Sequence, residues 1–114
     1  MNKVPIIMCN WKRIDNIPEI LAMLEGQTTH DFDLYIWNNN SDVKDELDLM
    51  AKTYKLSYNI KIHHNKDNVG GIGRFYLARD IAMTGYHGNE PVIFIDDDVK
   101  FGEDMVETFL QEHN

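Results

Sequence analysis

Three consecutive aspartates, Asp96, Asp97 and Asp98, follow directly on the apolar run Val92-Ile93-Phe94-Ile95. Adjacent like charges repel one another, and a divalent cation relieves the repulsion. Mg²⁺ and Mn²⁺ are commonly held by one or two carboxylates together with phosphate oxygens of a substrate. In an extended or tightly turned chain Asp96 and Asp98 point one way and Asp97 the other. Asp96 and Asp98 are therefore the candidate metal ligands, with ribose contacts from the same pair. The plainer alternative is a solvated turn, or acids favouring the N-terminus of a following helix. The next helical pattern begins several residues later, which argues against the helix version.

Two other acidic motifs can be tested on the same residues. A calcium loop of the EF-hand type needs glycine at its sixth position and a helix before it. Here the sixth position is Phe101 and a strand pattern precedes, although Glu107 falls at the twelfth. An aspartyl-phosphate hydrolase also places Asp-x-Asp after a strand, with Thr or Val two residues on. Lys100 stands there, which leaves this as a weaker alternative.

Asn68-Val69-Gly70-Gly71-Ile72-Gly73-Arg74 is the second feature. Small residues opening a helix let an anion approach the backbone N–H groups closely. No Gly-Lys-Ser/Thr follows, so this is not a P-loop. Tyr76 occupies the third-glycine position of a dinucleotide fingerprint, and the segment follows the third strand pattern rather than the first. Taken alone, it reads equally as a structural turn and as a phosphate contact. Trp11, Lys12 and Arg13 offer an aromatic ring and two cations, suited to a base and a diphosphate, or else a surface loop. Asn38 could bond a base edge, or simply form a turn. His63 and His64 are adjacent on a strand, face opposite ways and chelate poorly; structural roles suit them better.

These residues need a frame to bring them together. Val4 to Cys9 is an unbroken apolar run, as in a strand buried on both faces. Asn16 and Glu19 have the spacing of a capping box, and Ile17, Ile20, Leu21 and Leu24 follow at helical intervals, with Gly26 as the stop. Phe32 to Trp37 reads as the second strand, broken at Asn38-Asn39-Asn40-Ser41-Asp42. Leu47, Met50, Ala51 and Tyr54 make a second helical stripe. Tyr58, Ile60 and Ile62 alternate as a third strand. A third helix carries Phe75, Tyr76, Ala78, Ile81 and Ala82, Val92 to Ile95 forms a fourth strand, and Met105, Val106, Phe109 and Leu110 mark a last helix. Four strand-then-helix units predict an α/β, Rossmann-like, mostly parallel sheet with helices on both faces. The favoured strand order is 3-2-1-4, with ligands expected beyond the carboxyl ends of strands one and four.

The chain has 114 residues, enough for one domain with a modest core. Its 43% hydrophobic content excludes disorder, and its formal net charge of −8 disfavours nucleic acid and anionic lipid while suiting cation recruitment. Cys9 is the lone cysteine, so no internal disulfide forms. No apolar run is long enough for a membrane span, and the cytoplasm is the default compartment.

Together these pieces resemble the amino-terminal half of family-2-type glycosyltransferases with the GT-A fold. The resemblance runs from about Val4 to Met105. It rests on Val4-Pro5-Ile6-Ile7 leading into Asn10-Trp11-Lys12-Arg13, on Ile36-Trp37-Asn38-Asn39-Asn40-Ser41, on Asn68-x-Gly70-Gly71-x-Gly73, and on Ile95-Asp96-Asp97-Asp98-Val99. The glycine stretch with Arg74-Phe75, followed by the aspartates and Val99, looks most like the galactofuranosyl and rhamnosyl transferase branch. The resemblance implies a nucleoside-diphosphate-sugar donor, a Mn²⁺ or Mg²⁺ ion and a hydroxyl acceptor. It implies donor contacts from Asn10, Trp11, Arg13, Asn38, Gly71, Arg74, Asp96 and Asp97, with Asp96 and Asp98 on the metal. The family usually has aspartate where Asn38 stands, and a small residue where the nearest branch meets Arg74. A complete domain of this kind is about twice as long, so residues 1–114 are expected to be a single nucleotide-sugar-binding domain lacking the acceptor half and its general base. The competing expectation is a nucleotide-binding fragment without turnover.

Overall fold

The computed structural model describes residues 3–10, 14–83, 92–96 and 102–112. Four parallel strands form one sheet in the order β3-β2-β1-β4, the order favoured by the alternating pattern. The strands are β1 (Val4–Asn10), β2 (Phe32–Asn38), β3 (Asn59–His64) and β4 (Ile93–Ile95), and the helices between and after them are α1 (Ile17–Glu25), α2 (Lys44–Thr53), α3 (Gly73–Met83) and α4 (Met105–Glu112).

Alternation along each strand divides the side chains between two cores. Ile6, Met8, Leu34 and Ile36 face α1, α2 and α4, where they join Ile20, Leu21, Leu24, Leu47 and Val106. Ile7 and Trp37 face the other way and meet Leu77 and Ile81 of α3. Helices therefore cover both faces, as a parallel sheet requires.

Several local expectations need correction. Asn16 does not cap α1: a 3₁₀ turn over Ile14–Asn16 precedes the helix, so Asn16 already has helical φ and ψ (−82° and −16°) and makes no side-chain cap bond. A capping residue must be extended for its side chain to reach back. Gly26 does end α1, but with φ −78° rather than in the left-handed conformation. The fourth strand is shorter than its apolar run, beginning at Ile93. The third helix buries Leu77 and Ile81 and leaves Phe75 60% exposed; Phe75 rests on Phe94 of β4.

Candidate functional site

β2 and β3 extend the sheet to one side of β1, and the chain then crosses back by way of α3, on the other face, to place β4 on the far side of β1, so the reversal of strand order falls between the carboxyl ends of β1 and β4. Open α/β sheets bind ligands at this position. Asn10 ends β1, Asn38 ends β2, His64 ends β3 and Asp96 follows β4. Asn10 pairs with Asn38, and Asn38 with His64, so the three stand in register along the edge.

These three side chains are joined. The Asn10 amide Nδ2 donates to Asn38 Oδ1 at 3.1 Å. The backbone N–H of Asn40 donates to the same oxygen at 3.0 Å, and Asn38 Nδ2 donates to the Asn40 carbonyl at 2.9 Å. Asn38 Nδ2 also meets His64 Nδ1 at 3.0 Å, while His64 Nε2 lies 2.7 Å from Asp48 Oδ1 on α2. Asn10 and Asn38 are both 0% exposed. The whole amide of Asn38 is thus occupied by protein groups: it holds its neighbours and offers no open edge. The open position belongs to Asn10, whose Oδ1 is buried and has no hydrogen-bond partner among the described residues. A buried amide oxygen without a donor is costly, so Asn10 Oδ1 is a candidate acceptor for a bound group or a buried water.

The glycine segment is fastened to the same edge by Asn39, which the sequence marked only as part of the turn after β2 and of the Ile36-to-Ser41 motif. Asn39 Oδ1 accepts from Trp37 Nε1 at 2.9 Å and from the Val69 N–H at 3.2 Å, and its Nδ2 donates to the Gly70 carbonyl at 3.2 Å. Gly70 has φ +69°, in the left-handed region where glycine is favoured. Gly71 lies in the 3₁₀ turn Gly70–Ile72 that leads into α3. On the far side of Trp37, His63 stacks on the indole with ring centroids 4.3 Å apart. His63 and His64 therefore do point to opposite faces, each with a structural partner. Asn39 could have been singled out only by knowing that the turn after β2 faces the glycine turn.

On the α3 side, Arg74 Nη1 lies 3.8 Å from Asp96 Oδ1, and the Asp96 side chain is 59% exposed. Asp96 is the only member of the acidic run among the described residues. Trp11 and Arg13, together with Lys12, and Asp97 and Asp98 lie outside the described residues. No group of three or more His, Cys, Asp or Glu side chains converges on one point among the described residues. An exposed carboxylate at the end of β4 fits one ligand of a Mg²⁺ or Mn²⁺ ion, which needs only one or two from the protein.

A parallel α/β sheet with a buried, unsatisfied amide and an exposed carboxylate flanking its reversal point is a Rossmann-like domain with a candidate ligand site at that point. The chain belongs to glycosyl transferase family 2, whose profile matches residues 6–114. Its fold is that of S. aureus TarS, with a TM-score of 0.69 at 20% identity over 96% of this chain and 19% of TarS. The TarS 1-349 structures in complex with UDP and with UDP-GlcNAc match at the same TM-score and 21% identity, over 97% of this chain and 32% of theirs. The chain thus spans between a fifth and a third of the length of those chains. A search of curated protein sequences gives no match. No helix among the described residues is long and apolar enough to cross a membrane.

Proposed function

We propose that this chain is the donor-binding part of a glycosyltransferase that transfers a sugar from a nucleoside diphosphate to an acceptor hydroxyl. The observation that carries the reading is the buried Asn10 Oδ1, without a partner among the described residues, one strand away from the end of β4 where Asp96 stands. The TarS complexes with UDP and UDP-GlcNAc, which share the fold, support a nucleotide-sugar donor.

In this reading Asn10, held by Asn38, takes a donor group of the nucleoside, with Trp11 stacking on the base. Arg74, Arg13 and the N–H groups around Gly71 meet the diphosphate. Asp96 and Asp97 contact the ribose and diphosphate, and Asp96 and Asp98 would hold Mn²⁺ or Mg²⁺. Such an ion supplies positive charge that stabilises a departing diphosphate. Positioning the donor and excluding water from its diphosphate would be the contribution of this chain's own residues. The general base that deprotonates the acceptor is assigned to a part of the enzyme outside this chain. The lone cysteine forms no internal disulfide that would mark secretion, and the cytoplasm is kept as the default compartment of this reading.

Isothermal calorimetry with UDP, with and without Mn²⁺, tests the reading. Binding that strengthens with Mn²⁺ and loses that gain in Asp98→Ala is the expected result. Metal-independent binding, unchanged in Asp98→Ala, would remove the metal from the proposal, and no binding of any nucleoside diphosphate would remove the proposal.

A further inference from the structure

The bonds along the carboxyl edge have a polarity, set from two sides: by the Asn40 backbone at Asn38 and by Asp48 at His64. Asn38 is fixed by the backbone of Asn40, which donates to its Oδ1 and accepts from its Nδ2. The second hydrogen of that Nδ2 points at His64 Nδ1, 3.0 Å away. Nδ1 must then offer a lone pair, so the imidazole proton sits on Nε2 and is donated to Asp48 Oδ1 at 2.7 Å. In the other direction, Asn38 Oδ1 accepts from Asn10 Nδ2. That leaves Asn10 Oδ1, an acceptor, as the unsatisfied atom.

The opposite tautomer of His64 would set an N–H against the N–H of Asn38. Asn38 would have to turn over and lose both bonds to Asn40, and its amide nitrogen would then face Asn10. Asn10 would turn in response and present Nδ2 in place of Oδ1. The Asp48 carboxylate disfavours this alternative, because it accepts the hydrogen bond from Nε2 and donates none in return.

We propose that Asp48 and His64 are positioning residues for the nucleotide site. By holding the Nε2–H tautomer, they lock Asn38 and make Asn10 Oδ1 the acceptor for an N–H or O–H donor of the bound nucleotide. The inference rests on the reading that a nucleoside diphosphate binds at this edge. It goes beyond that reading by placing a determinant of binding on α2, outside the contacts themselves.

Two measurements test it. Long-range ¹H–¹⁵N correlation on the free chain reads the His64 tautomer directly. The expected pattern is a protonated Nε2 and an unprotonated Nδ1, and an Nδ1–H tautomer would overturn the relay whether or not nucleotide binds. Calorimetry with UDP then compares His64→Leu and His64→Asn with the unmodified chain, after circular dichroism has checked that each is folded. Loss of the acceptor in His64→Leu is expected to weaken binding by about fivefold to tenfold, the size of one hydrogen bond. His64→Asn places an amide oxygen near the position of Nδ1 and should restore most of the affinity. Full affinity in folded His64→Leu, or no recovery in His64→Asn, would overturn the positioning role. If the unmodified chain itself does not bind UDP, the nucleotide reading fails and takes the link to binding with it, while the tautomer measurement still decides the relay.

Discussion

The indole of Trp37 lies where a side chain on residue 73 would be: a Cβ added to Gly73 would stand 2.4 Å from both Cδ1 and Nε1 of the ring. Trp37 cannot easily retreat, because His63 stacks on it and its Nε1 is bonded to Asn39. Gly73→Ala should therefore destabilise the domain by about 1–3 kcal/mol, the usual cost of overpacking. Trp37→Phe should cost less in the Gly73→Ala background than in the unmodified chain, since a smaller ring leaves room for the methyl group. Urea unfolding of the two single variants and the double variant measures the coupling. Strict additivity would show that the close approach is not what makes glycine necessary.

Asn39 supports the prediction nearest to the glycine turn. Its amide closes three bonds, to Trp37, Val69 and Gly70, in a buried position. Asn39→Asp keeps an acceptor for Trp37 and Val69 but turns a carboxylate oxygen towards the Gly70 carbonyl. Asn39→Asp should lose about 1–3 kcal/mol of stability. Amide hydrogen exchange should speed up most at Val69 and in the following turn, and uniform acceleration across the sheet would argue against a local fastening role.

How far the sequence disclosed this arrangement depends on how local each signal is. Strand order 3-2-1-4 followed from four strand-then-helix units and right-handed crossovers, and it is the order found. The opposed faces of His63 and His64 followed from the two-residue strand period. Asn16 failed as a cap because it already lies in the 3₁₀ turn Ile14–Asn16 with helical φ and ψ, which the capping spacing does not reveal. The alignment of Asn10, Asn38, His64 and Asp48 was not legible, because it depends on the exact register of three strands and on where α2 crosses β3. One residue of slip would send each side chain to the other face. The pocket expected around Trp11 falls outside the described residues.

Tyr58 leads to a pH prediction. Its hydroxyl donates to the Leu21 carbonyl at 2.8 Å inside the larger core. Burial first, and the negative charge of Glu25 second, push the phenol well above its ordinary value of 10.0. A folded-state value above the unfolded one means that the neutral phenol's contribution is fully present below the unfolded value. It is lost as the pH rises past that value towards the folded one. Tyr58→Phe should be less stable near neutrality by about 0.5–1.5 kcal/mol, one net hydrogen bond. Between roughly pH 9 and 11 the gap should narrow, because the unmodified chain alone bears the cost of keeping this phenol protonated. Urea midpoints for both proteins across that range measure it, and parallel curves would show that Tyr58 ionises as readily folded as unfolded.

Arg74 and Asp96 separate a stabilising role from a binding one. Their ion pair is long, at 3.8 Å, and both side chains are substantially exposed, at 33% and 59%. Solvent screens such a pair, so its contribution to stability is about 0–1 kcal/mol. Arg74→Ala should accordingly leave the urea midpoint almost unchanged. Under the proposed function the guanidinium faces a donor diphosphate, where charge-assisted hydrogen bonds are stronger than neutral ones. Arg74→Ala should then weaken UDP binding about tenfold or more, and Arg74→Lys should recover only part of it, because a point charge cannot reproduce the planar fork. The weakening should be much smaller for uridine, which carries no phosphate. If Arg74→Ala weakened uridine and UDP equally, Arg74 would be shaping the edge as a whole and the phosphate assignment would fall. If it left both affinities intact but lowered the unfolding free energy by several kcal/mol, the residue would belong to the fold and not to the site.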